Sequence, residues 1–177
     1  MFAAVLFRAF FLLFIAVSLS GCVTARTGFD FAAVMRKVGP PPAGHSRIVV
    51  LSEKGSVTYG GVADLVIGGV PTKQVRPGVY VYADQRAGKH QIIGTQSMFP
   101  GETKYDITTV AGRTYFLIAR NSARAGTVTG STLGAGLAGG LLAMAITAGY
   151  DNPGPVDLLP LDEAAARTAL ADLQLAE

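Results

Sequence analysis

Asp64-Leu65-Val66-Ile67-Gly68-Gly69-Val70 places two β-type runs on either side of a glycine pair, and the same pattern of short apolar runs and turns repeats through the middle of the chain. Adjacent glycines supply the positive φ that a two-residue hairpin turn requires, so 62–67 and 70–75 are expected as paired strands. Arg76-Pro77-Gly78 is a second turn signal before 79–83. Ala111-Gly112 is a third, and it predicts a hairpin between 104–110 and 113–119. With 47–51 and 90–95 this makes seven short strands at regular spacing, the pattern of an all-β sandwich or barrel. Tyr80 and Tyr82 fall on one face of their strand and Val79 and Val81 on the other, so both faces of that strand are expected to be covered.

Outward from this core the sequence changes character on both sides. Residues 1–21 are apolar apart from Arg8 and two serines, in the order of a secretory signal: charge, apolar stretch, small residues. The run after Arg8 is too short for a spanning helix, which needs about 20 residues. Leu19-Ser20-Gly21-Cys22 closes the segment and resembles the lipobox of bacterial lipoproteins. That resemblance implies cleavage between Gly21 and Cys22 and acylation of Cys22, the single cysteine of the chain. Small residues admit the chain to a protease, and a thiol is the ready nucleophile for thioether formation. Val23 follows the cysteine rather than the Asp that resembles an inner-membrane retention signal, so a periplasm-facing position on the outer membrane is expected.

Residues 22–45 form a tether ending in Gly39-Pro40-Pro41-Pro42-Ala43-Gly44. Consecutive prolines enforce an extended, semi-rigid path. Within it, 29–38 suits either a short helix or a disordered linker.

Beyond the strands, 125–149 carries no charge and holds Gly130/Gly134 and Gly136/Gly140 at small-xxx-small spacing. Three arrangements suit it: a glycine-rich helix packed on the sandwich or on a second copy, a membrane-inserted helix, or a flexible loop. Residues 162–175 read as an amphipathic helix, with Asp162 and Glu163 in the first turn, Glu163 and Arg167 paired at i, i+4, and Ala166, Ala169, Leu170 and Leu173 forming one apolar stripe. Charge is divided between these regions: 46–124 holds ten Lys/Arg against five Asp/Glu, whereas 151–177 holds six acids and only Arg167. The two segments are expected to attract one another.

Arg47-Ile48-Val49-Val50, Asp64 through Val70, Pro77-Gly78-Val79-Tyr80-Val81-Tyr82-Ala83-Asp84 and Ala87-Gly88-Lys89-His90 together resemble a family of small bacterial lipoprotein domains called domain of unknown function 2846. Ala87 stands where the family pattern has proline. The resemblance covers about 46–120 and implies a small antiparallel, immunoglobulin- or prealbumin-like β-sandwich on a lipid anchor, with no catalytic residues to carry over.

The remaining motifs point away from chemistry. Gly134-Ala135-Gly136-Leu137-Ala138-Gly139 spells GxGxxG, with Asp157 downstream, but no strand leads directly into it. His45 and His90 have no acid or cysteine at ligand spacing, so neither a metal nor another cofactor is expected. There is no Gly-x-Ser-x-Gly elbow and no paired carboxylate arrangement. The net charge is only +3, and the basic residues are spread singly along β-type sequence and form no run, so nucleic-acid binding is not expected. The expectation is a non-catalytic interaction or structural module of the envelope, with a membrane-inserting or pore-associated component using 125–149 as the alternative. Its expected partners are the membrane through the lipid anchor and either an envelope protein or a second copy.

Overall fold

The computed structural model describes residues 30–52, 54, 63–97 and 99–177, so Gly21, Cys22 and the signal segment lie outside the described residues. The protein is mostly β, with two sheets and a C-terminal helix, in the order α1 (Phe31–Val38), β1 (His45–Leu51), β2 (Asp64–Ile67), β3 (Val70–Pro71), β4 (Val79–Arg86), β5 (Gly88–Thr95), β6 (Thr103–Thr109), β7 (Thr114–Asn121), α2 (Ala123–Ile146), β8 (Val156–Leu161), α3 (Glu163–Leu170) and β9 (Gln174–Leu175). The first sheet has the order β8-β7-β1-β4-β9 and the second β3-β2-β5-β6.

Gly68 and Gly69 turn at positive φ, and β2 and β3 pair across them as expected, with Ile67 opposite Val70. The strand after this turn is shorter than 70–75; Val75 returns only as an isolated bridge to Ala63. The expected hairpin between 104–110 and 113–119 does not form. β6 belongs to the second sheet and pairs with β5, while β7 crosses to the first sheet and lies parallel to β1. Burial explains the separation. β6 alternates between inward and outward positions, whereas Phe116, Leu117, Ile118 and Ala119 of β7 are all buried and require a strand covered on both faces. The wholly antiparallel sandwich is corrected likewise: β1–β7 and β4–β9 are parallel pairs, so the first sheet is mixed.

Two apolar clusters explain this layering. Ile48, Val50, Val81, Leu117 and Leu158 from the first sheet meet Leu65, Ile67 and Ile92 from the second, which forms the inter-sheet core. On the opposite face of the first sheet, Val49, Leu51, Tyr80, Phe116 and Ile118 are covered by Phe31 of α1, by Ala166 and Leu170 of α3, and by Leu173. Phe31 meets Tyr80 and Phe116 edge to face, at 5.4 and 6.1 Å between ring centroids. Both faces of β4 are thereby covered, as its sequence requires.

Of the two readings of 29–38, the helix is the one observed. The Asp30 carboxylate accepts from Ala33 N–H at 2.8 Å, and Gly39 closes the helix at a φ of 75°. α3 is similarly capped by Asp162, which accepts from Ala165 N–H at 2.8 Å, but it stops at Leu170 rather than continuing to 175. Leu173 and β9 then fold back along the sheet edge, and β8 joins β7, so residues after 150 supply two strands as well as a helix. The contact between α3 and the sheet is apolar, while Glu163 and Arg167 pair with each other at 2.7 Å on the exposed side.

Candidate functional site

The apolar glycine-rich segment becomes helix, but not one straight helix. Ala135 (φ −128°, ψ 16°) and Gly136 (φ 65°, ψ −160°) leave helical geometry in the middle of α2. Contacts across this break show that the chain reverses. Gly140 sits against the Thr132 side chain, and a Cβ at Gly139 would lie 2.6 Å from both the Ser131 carbonyl oxygen and the Ala135 methyl. Arg124 Nε donates to Thr147 Oγ1 at 3.2 Å. In a continuous helix rising 1.5 Å per residue, 132 and 140 would stand about 12 Å apart and 124 and 147 about 35 Å apart. The segment is therefore a helical hairpin with arms of residues 123–134 and 137–146, and glycine lets the arms approach closely.

By length and composition, Ala123–Gly149 would suffice to cross a membrane. Folded back, neither arm reaches the roughly 20 residues that a crossing needs. The segment is helical rather than a loop, and in this structure it is not a single straight span.

The base of the hairpin is fixed by polar contacts to two other segments, around Pro100 and around Pro153. Ser122 caps the first arm, accepting from Ala125 N–H at 3.1 Å while donating to the Gly154 carbonyl at 2.6 Å. Arg124, almost fully buried, donates to the carbonyls of Pro100 (2.5 Å) and Pro153, and lies over the Phe99 ring at 5.2 Å. Neutral carbonyls, a hydroxyl and a ring thus solvate this guanidinium. Gly101 and Gly154 are required at the crowded base: a Cβ at the first would strike the Pro153 carbonyl, and at the second the Thr103 backbone nitrogen.

Beyond that clamped base one side of the hairpin is exposed. Ala125, Val128, Gly140 and Ala143 are buried, whereas Leu133, Leu137, Leu141, Leu142 and Ile146 are 62–81 % exposed. The inward face of the second arm is Gly and Ala, and its outward face is Leu and Ile. Within the arms, Thr127 and Thr132 donate their hydroxyls to the carbonyls four residues back, at 3.0 and 2.8 Å, which meets their hydrogen-bonding need without solvent.

The other residues that the sequence singles out lie elsewhere. His45 Nδ1 is 3.0 Å from the Ala43 carbonyl and His90 Nε2 is 2.6 Å from that of Arg86. Asp157 accepts from Asn152 Nδ2 at 2.6 Å in an open cleft of about 560 Å³ beside β6 and β8. The GxGxxG glycines have structural uses, since Gly136 makes the reversal and Gly139 the arm contact. Among the described residues, no three His, Cys, Asp or Glu side chains are grouped to hold a metal. A buried ion pair ties α1 to the first sheet. Arg47 Nε and Nη2 each donate to Asp84 at 2.7 Å, Nη1 donates to the Gly39 carbonyl at 2.7 Å, and the guanidinium stacks 5.0 Å from the Tyr82 ring.

Sequence reasoning identified the unusual composition of 125–149 but not its reversal or its clamp. Neither a protein-family model nor a curated protein matches the chain.

Proposed function

We propose that this protein is a non-catalytic, lipid-anchored module of the bacterial cell envelope, held at the outer membrane by acylated Cys22 and facing the periplasm. The observation that carries this reading is Leu19-Ser20-Gly21-Cys22 at the end of an apolar N-terminal segment, with the chain's single cysteine at its close. The two-sheet core agrees with the small β-sandwich implied by the resemblance to domain of unknown function 2846, and the immunoglobulin- or prealbumin-like description belongs to the same proposal. The core serves as a rigid platform, and the hairpin is its contact element toward a membrane, an envelope protein or a second copy. The exposed Leu and Ile side chains favour a second reading, in which the hairpin works within the bilayer itself. Two or more acyl chains, at about 0.8 kcal/mol per buried CH₂, hold a protein on a membrane stably. Metabolic labelling with radioactive palmitate tests the anchor. Label is expected in the full chain and not in a Cys22→Ser form, and an unlabelled full chain would overturn the proposal.

A further inference from the structure

We infer that the hairpin of 123–146 enters one leaflet of the same membrane that carries the lipid anchor, and returns without crossing it. The inference rests on the anchoring proposed above and names what the hairpin touches. Its starting point is the strand register. Leu51 pairs with Tyr80 on one side and with Ile118 on the other, so the end of β1, the start of β4 and the end of β7 lie at one end of the first sheet. Asn121 opposite Val156 places both feet of the hairpin at that end. Gln174 pairs with Val79, and Asp30 bridges to Gln174, which brings the first described residue to the same end. Cys22 precedes Asp30 by eight positions, a reach of at most about 28 Å. An acylated Cys22 and the apolar hairpin therefore leave the domain from one end, whereas the turn after β6, with Val110 exposed, lies at the other.

The dimensions suit a leaflet. Arms of about 15–18 Å match half of a hydrocarbon core about 30 Å thick. No charge occurs between Arg124 and Asp151, and both of these sit at the base with Tyr150, a residue type that favours the interface. Away from the break at Ala135 and Gly136 the backbone of the arms is helical, and Thr127 and Thr132 donate to carbonyls four residues back within their own arm. A leaflet accepts the whole outward Leu and Ile face from 133 to 146.

The test uses the mature full chain carrying Cys22→Ala, made behind a cleavable signal, so that acylation contributes nothing and its failure is separable from failure of the palmitate experiment. A single cysteine is introduced as Leu137→Cys or, as the control, Val110→Cys, and labelled with a polarity-sensitive fluorophore. Vesicles of phosphatidylethanolamine and phosphatidylglycerol (three to one) are expected to brighten the label at 137. Spin-labelled lipid confined to the outer leaflet is expected to quench it, and the label at 110 is expected to stay unchanged. Leu137→Glu with Leu141→Glu should lower vesicle partition by about 100-fold or more while far-ultraviolet circular dichroism is retained. An unresponsive label at 137 would overturn the inference. So would crosslinking between 137 positions in a soluble dimer that ignores vesicles, which would assign the face to a second copy.

Discussion

A methyl group added at Gly139 and one added at Gly130 should have opposite effects, because only the first lies between the two arms. Replacing glycine by alanine in a helix gains about 1 kcal/mol from backbone entropy alone. At Gly130 nothing lies within 4 Å of the new Cβ, so that gain stands. At Gly139 the Cβ would sit 2.6 Å from the Ser131 carbonyl oxygen and from the Ala135 methyl. The first neighbour is backbone and cannot rotate away, and overpacking of this kind costs about 1–3 kcal/mol. Gly139→Ala should therefore destabilise the hairpin by about 1 kcal/mol net, and Gly130→Ala should stabilise it by about the same amount. Native-state hydrogen exchange of the buried amides of Val128 and Ala143 reads these changes locally. Exchange is expected to be about five-fold faster in Gly139→Ala and about five-fold slower in Gly130→Ala. In a straight helix, position 139 would be as open as position 130. If Gly139→Ala slowed exchange as much as Gly130→Ala, the folded-back arrangement would be refuted.

Two further outcomes follow from buried polar groups in the β core. Asp84→Ala leaves the Arg47 guanidinium, 1 % exposed as a residue, without its carboxylate. Loss of a buried partner costs about 3–5 kcal/mol, and the 21 % exposure of the Asp84 side chain reduces this to about 2–3. Thermal denaturation should show a melting temperature about 6–10 °C lower, largely restored by adding Arg47→Met; a drop below about 3 °C would contradict the role given to the pair. Burial, reinforced by the negative charge of Asp30 and by Tyr82, holds the Tyr80 phenol well above its ordinary range. Its contribution to stability is whole below pH of about 10. Above that the unfolded chain ionises while the folded one does not, so stability falls with rising pH, by up to about 1.4 kcal/mol per unit for one proton. Urea titrations at pH 9 to 11 should show a shallower decline in Tyr80→Phe than in the unsubstituted protein, and identical slopes would refute the assignment.

What the sequence discloses is local, and what it withholds is pairing. Gly68-Gly69 specifies its own turn because positive φ is a property of two residues, and the ends of α1 are equally local, set by the Asp30 side-chain cap and the positive φ of Gly39. Ala111-Gly112 also makes a turn, yet nothing in it states whether the next strand returns to its neighbour or crosses to the other sheet. The four consecutive buried residues 116–119 carried that information, as a strand with two covered faces. β8 was obscured by Pro160, which suits a sheet edge but weakens a strand pattern read in isolation. The hairpin shows the same limit. Small-xxx-small spacing singled out Gly130, Gly134, Gly136 and Gly140, but the closest approach uses Gly139 and Gly140, while Gly130 and Gly134 face open space. Spacing along one helix does not reveal that the chain doubles back at Gly136. In the sequence Arg124 is only a charge, because its buried role depends on Pro100, Pro153 and Thr147 being brought to it by the fold.

Mass spectrometry of the mature protein purified from envelopes bears most directly on the anchoring proposal. The expected result is a chain beginning at Cys22, with residues 1–21 removed and the mass increased by a diacylglyceryl group on sulfur and an acyl group on the new amine. A chain that still begins at Met1 and carries a free thiol at Cys22 would contradict it.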